Sequence, residues 1–317
     1  YMDFTDLEQY AEIHYKINCD GVNLDTGILP SVSVKPKRTK SIFLNISIPK
    51  QGHSYLKLYY HMKKGTEFIP TGYILGFDEI LLQTEDNRNQ TAVKWLTSPE
   101  VLNSKLEVWE TNAKIFCKGT EFFYTYDKRT GMFRQITYAG ESYLDSPMEL
   151  NIWRAPTDND MYIKQEWKRA CYDQTYVRAY RTKVRQTISY IEISSVMSMS
   201  APAVQRIMDI EAVWRIDENG GLNFTAVVKR NVEFPMLPRF GIRLFLNSKL
   251  ESVSYYGMGP SESYIDKQRA SSHGLYHAKP ADLHEDYIRP QENGSHTDCD
   301  YVIVSGDKAG LAAASGK

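Results

Sequence analysis

The sequence predicts an all-β protein, and three observations carry that expectation. Apolar and polar residues alternate at period two through most of the chain, tyrosine is abundant at 22 of 317 residues, and turn signals separate the alternating runs. At 317 residues the chain can bury a sizeable core, and two domains are the natural reading.

Along Tyr10 to Ile17, Ile13, Tyr15 and Ile17 point one way while Glu12, His14 and Lys16 point the other. Cys19, Asp20 and Gly21 then read as a turn. Ile42, Leu44, Ile46 and Ile48 repeat the alternation. Residues 1–95 hold roughly seven short strand candidates, enough for an immunoglobulin-like β-sandwich. A polar, turn-rich stretch from Thr84 to Gln90, followed by Ser98, Pro99 and Glu100, marks a break. The domains are therefore placed at 1–95 and 96–317. The second continues with turns at 127–131 and 218–221 and with alternation at Leu222, Phe224, Ala226 and Val228. The pattern returns at Phe240, Ile242, Leu244 and Leu246. Only Lys164 to Tyr172, around Trp167 and Cys171, reads as helix, with Asp158 or Asp160 where an N-cap is useful. Residues 301–306 and 309–317 read as two strands of a hairpin whose outer edge, near Gly310 to Ala314, is left uncovered. A larger pair of packed sheets fits this second region. The first residue, Tyr1, and the abrupt end suggest a piece of a longer chain.

The 38 basic and 39 acidic residues nearly cancel, so no global field would recruit nucleic acid or an acidic membrane. No apolar run is long enough to cross a bilayer. Cys19, Cys117, Cys171 and Cys299 show no metal-site or disulfide spacing and read as free thiols. The sequons at Asn45, Asn89, Asn223 and Asn293 are taken as chance. Protease, esterase and phosphate-loop motifs are absent. Gly257 to Glu262 imitates a dinucleotide loop, but Pro260 removes an amide donor and no helix is predicted after it. His273 and His277 share a strand face about 13 Å apart, too far to hold one metal. His53 and His61 read as surface residues.

Three polar clusters remain, each next to a proline. They are Arg154, Asp158, Asn159 and Asp160; then Glu262, Tyr264, Asp266 and Arg269; then Arg289, Gln291, Glu292 and Asn293. Mixed donors and acceptors of this kind suit sugar hydroxyls, and they equally suit ion pairs that lock loops together.

Residues 150–160, 255–276 and 287–298 resemble three successive motifs of the C-terminal β-domain of glycoside hydrolase family 2 β-galactosidases, the large LacZ-like enzymes. Residues 3–21 and 71–82 are similar to the immunoglobulin-like domain before it. The resemblance implies an immunoglobulin-like sandwich followed by a galactose-mutarotase-like β-supersandwich, incomplete at its C-terminus. It implies that the parent hydrolyses terminal β-galactosides with a glutamate pair and magnesium, and possibly sodium, on a barrel outside this segment. No catalytic residue, metal ligand or cofactor is therefore assigned here. The partners implied are the rest of the parent chain, a galactoside and, in the parent, further copies of itself. Arg154 is expected to pair with Glu262 or Glu292. Two rivals stay open: a stand-alone carbohydrate-binding module using Trp153, Tyr255 and Tyr256, and an aldose-epimerase-like enzyme using Glu292 with His273 or His296. The cell compartment is left unassigned.

Overall fold

The structure is a computed structural model and describes residues 5–97 and 105–315. Strands account for 46% of it and helices for 10%, well below the usual third, so the chain is all-β.

A single helical turn, α1 (Leu7–Tyr10), is capped by the Asp6 carboxylate, which accepts from the Glu8 amide. It leads into an antiparallel sheet of β1 (Ala11–Cys19), β2 (Val22–Ile28), β3 (Ser54–Met62) and β4 (Ile74–Leu82), in the order β2-β1-β3-β4. Asp20 and Gly21 close the β1–β2 hairpin with φ of 50° and 88°, the double positive φ that a two-residue hairpin turn requires. Among the described residues before position 97, four strands form, not the seven expected. The alternating run from Ile42 to Ile48 has no ladder partner, and Phe43 is fully exposed. Period two reports that side chains face alternate ways. It does not supply a neighbouring edge to bond with.

The polar break contains an unpredicted helix, α2 (Gln90–Thr97); Ser98 to Glu100 lie outside the described residues. Asn89 starts it, its side-chain oxygen accepting from the amides of Thr91 and Ala92. Ala92 is buried with Tyr256 and Tyr301, and Trp95 meets Tyr301 edge-on at 5.0 Å.

Beyond it, β5 (Glu107–Glu110), β6 (Lys114–Lys118), β7 (Phe122–Asp127), β8 (Met132–Tyr138) and β9 (Glu141–Ser142) form one meander. Next come β10 (Leu144–Asn151) and the helix α3 (Ile163–Arg169), which starts one residue before the expected span and ends three residues short of it. A second meander is built from β11 (Tyr176–Gln186), β12 (Tyr190–Ser200), β13 (Met208–Asp217) and β14 (Leu222–Arg230). β15 (Gly241–Leu246) pairs with β10. The last sheet joins β16 (Ser252–Gly259), β17 (Ser272–Ala278), β18 (Tyr301–Ser305) and β19 (Gly310–Ala314) in the order β17-β16-β18-β19. The predicted terminal hairpin forms, with β19 on the sheet's edge.

The main core lies between the two meanders. Ile191, Ile193, Met197 and Met199 of β12 and Ile210, Trp214 and Ile216 of β13 bury their period-two faces with Ile115, Tyr124, Tyr126 and Phe133. Full burial of such a side chain contributes roughly 1.5–3 kcal/mol. Ser195 is the one polar residue in this inward row of β12, and the hydroxyls of Tyr126 and Thr182 satisfy it at 2.8 and 3.0 Å. At the β7–β8 turn Gly131 has φ 75°, and a Cβ there would lie 2.1 Å from the Met197 sulfur. A larger residue would carry the strain of that positive φ and would force Met197 to move.

Candidate functional site

The three polar clusters meet on the loops that leave β10, β16 and the segment before β18. β10 ends where Asn151 bonds its own chain, donating to the Trp153 carbonyl and accepting from the Trp153 amide. After Pro156, Thr157 and Asp160 form a capping box around a one-turn 3-10 helix, Asp158–Asp160. The Asp160 carboxylate accepts from the Thr157 amide at 2.7 Å and from its hydroxyl at 2.9 Å. Arg154 grips the same carboxylate through both terminal nitrogens, at 2.5 and 3.0 Å, and lies over the Trp167 ring at 5.3 Å.

This corrects two expectations. Arg154 pairs within its own loop and not with Glu262 or Glu292. Asp160 caps the one-turn helix, whereas α3 has Tyr162 at its N-cap and no side-chain cap there. The reason is proximity: a partner six residues away closes a short loop at little entropic cost. Both distant carboxylates also have cations of their own. Lys267 and the Tyr287 hydroxyl donate to Glu262, which further accepts from the Gly294 amide at 3.0 Å. Arg239 donates to Glu292. Lys267, Tyr287 and Arg239 were missed. Lys267 and Tyr287 stand inside the motif ranges 255–276 and 287–298, but nothing local marked Arg239.

The loops are nonetheless stitched together. Asn159 donates to Asp266 at 2.7 Å, the Asp158 amide to the Gln291 side chain at 3.1 Å, and the Ala155 amide to Glu292 at 3.3 Å. Asn293 accepts from the Glu285 amide and donates to the Gln291 carbonyl. Arg269 and Arg289 are exposed, without an ion pair among the described residues. Tyr264 is half-buried, its phenol pushed up to about 12 by burial, with Glu292 and Glu262 adding to the rise.

Burial by itself would raise Asp160 and Glu262. The bonds to Arg154 and Thr157 in the first case, and to Lys267, Tyr287 and Gly294 in the second, outweigh it and hold both below their ordinary range. Depressed carboxylates add stability above their unfolded values and lose it as pH falls through the folded ones. The loop assembly is expected to loosen only below about pH 4. Tryptophan fluorescence followed in acid checks this, since Trp153 and Trp167 sit beside Arg154; a midpoint near neutrality would implicate histidine instead.

The hydrogen bonds of these groups run within and between the three loops. Retaining hydrolysis needs one protonated and one ionised carboxyl group about 5 Å apart, and Asp160 and Glu262 are both held as anions. The epimerase pair does not assemble either. His296 meets the Met258 carbonyl, His273 meets Glu79, and Glu292 makes no ion pair with either among the described residues. Of the aromatics proposed for sugar stacking, Tyr255 and Tyr256 are core residues and Trp153 is half-buried.

A second polar assembly escaped the sequence reading altogether. His53 is not a surface residue: its Nδ1 lies 2.8 Å from Asp300, and the Tyr55 hydroxyl 2.7 Å from its Nε2. Tyr55 stacks on His273 with centroids 4.2 Å apart. Glu79 accepts from the His273 amide at 2.9 Å, meets its Nδ1 at 2.7 Å and pairs with Lys57 at 3.3 Å. Lys57 donates in turn to Ser272 and to the His273 carbonyl. This ion-paired seam joins β3 and β4 to β17 and to Asp300, which directly precedes β18. Partners 194 to 247 residues apart leave no local signal.

Among the described residues no group of three or more His, Cys, Asp or Glu side chains is arranged to hold a metal ion, and no helix is long and apolar enough to cross a membrane. Residues 118–315 match the family model described as "Beta galactosidase small chain", and residues 1–83 match "Beta-galactosidase, domain 4". A β-galactosidase of Actinobacillus pleuropneumoniae is 37% identical over 95% of this chain, and one of Staphylococcus xylosus is 28% identical over 96%. The chain spans only 29% and 30% of those two relatives. With most of the second region matched by one family model and the first by another, the chain belongs to the β-galactosidase family.

Proposed function

We propose that this chain is the non-catalytic C-terminal part of a retaining β-galactosidase that hydrolyses terminal β-D-galactosides of the lactose type. It supports the catalytic barrel and the rim of the active site. The observation that carries this reading is that one carboxylate of each of the three clusters is ion-paired within its own chain. Arg154 holds Asp160, Lys267 and Tyr287 hold Glu262, and Arg239 holds Glu292. Asp160 and Glu262 are held below the ordinary carboxylate range by these partners. The clusters thus shape and stiffen a surface, as a supporting domain must. The nucleophile and the acid reside on the rest of the parent chain. Magnesium, and possibly sodium, belongs to that part too, as the resemblance to the family implies. The parent works as a homo-oligomer on a galactoside, with neither nucleic acid nor membrane as partner.

The purified chain is expected to show no turnover of a nitrophenyl β-galactoside. Contacts without a nucleophile do not replace covalent catalysis. Cleavage that persists after trace host enzyme has been removed would overturn the reading.

A further inference from the structure

Away from the three clusters, a cleft of about 750 Å³ opens where the two meanders meet the β10–β15 ribbon. Its volume lies within the range of small-molecule sites. One wall carries Asp127, a buried carboxylate that accepts from the Arg129 amide at 2.8 Å and from the guanidinium groups of Arg129 and Arg134 at 3.3 to 3.4 Å. Glu149 and Arg243 line the cleft as well, paired at 2.8 Å and each about half exposed. In both pairs a carboxylate engages a guanidinium, which has five donors in all. Tyr176 stands half exposed at the cleft and Trp153 lines it, so apolar ring faces lie beside the polar groups. With Asp173 the lining holds three carboxylates against three guanidinium groups, so it carries no net charge.

We propose that this cleft is a binding site for a neutral saccharide, separate from the loop clusters. A phosphate or carboxylate ligand would want an excess of cations, and a purely apolar ligand would strand the two ion pairs. A sugar matches both features: adjacent hydroxyls donate to carboxylates and accept from guanidinium groups, while the C–H face of the ring lies on an aromatic side chain. The arginines are held in place before any ligand arrives, which lowers the ordering cost of binding. The proposal does not need the chain to support a hydrolase; only the choice of a β-galactoside as first probe rests on that reading.

The test is ligand-observed saturation-transfer NMR on the whole chain with methyl β-galactoside, lactose and cellobiose, followed by titration calorimetry. Saturable binding in the millimolar range is expected for at least one of the three. Tyr176→Ala and Arg134→Ala are each expected to weaken it roughly tenfold, equivalent to about 1.4 kcal/mol. Arg206→Ala, at a surface pair with Asp209, should leave it unchanged, and melting temperatures should show that the variants stay folded. No saturable binding of any of the three sugars would overturn the proposal. So would binding that survives both cleft variants and is lost in Asp266→Ala, which would assign the sugar to the loop clusters. Neither outcome bears on hydrolysis by the chain, which the nitrophenyl assay reads separately.

Discussion

Glu79→Ala is expected to destabilise the chain by about 3–5 kcal/mol, the cost of breaking a buried ion pair from one side. Glu79 and Lys57 are only 13% and 7% exposed, and no water-accessible substitute replaces the carboxylate once it is gone. The variant strands the Lys57 ammonium and leaves both the amide and the ring of His273 without their acceptor. Burial already lowers Lys57, with Glu79 acting against that shift. Without Glu79 the shift should grow, so between the folded and unfolded values the unfolded state binds more protons and stability rises with pH. Glu79 behaves in the opposite range. Burial raises it, but His273 and Lys57 outweigh burial and the net shift is downward. Its contribution is therefore present above its unfolded value and lost as pH falls through the folded one. Urea melts of the variant at neutral and alkaline pH test the first statement, and melts of the unaltered chain taken down into acid test the second. A loss under about 1 kcal/mol would mean that the seam is solvated like a surface pair.

Arg154→Ala is expected to cost about 3 kcal/mol, at the lower end for a buried pair. Asp160 would keep its bonds to Thr157, which softens the loss, but it would be left as a carboxylate without a cation. The packing of the guanidinium over Trp167 goes as well. Arg154→Lys should recover little, because an ammonium cannot fork across both oxygens. Denaturant melts would decide, and a change below about 1 kcal/mol would reduce the contact to a surface pair. Because Asn159, Asp158 and Ala155 bond to the other two clusters, the variant should also loosen Asp266 and Glu292, visible as faster amide exchange in those loops.

Much of the fold was legible from short windows of sequence. Alternation located β1, β14 and β15, and the turn residues at 19–21 and 218–221 placed hairpins, because side-chain facing and turn conformation are local properties. The same rule overreached at Ile42–Ile48, where alternation is present and a pairing edge is not. It also passed over α2, whose polar start at Asn89 reads as loop until Ala92 and Trp95 find Tyr256 and Tyr301 to cover them.

Local pattern and motif order determined the class of the fold, the family, and the residues that would gather on the candidate surface. Which carboxylate each cation holds was decided only by the tertiary structure. Arg154 had three carboxylates in view and took the nearest in sequence, since Lys267 and Arg239 had been packed against the other two. His53 and Lys57 look like solvent-facing residues, yet Lys57 is buried and His53 half-buried, both bonded to residues of or next to the β16–β19 sheet. A window of ten residues encodes which way a side chain faces; whether water or another sheet waits there depends on how segments some 200 residues apart are packed.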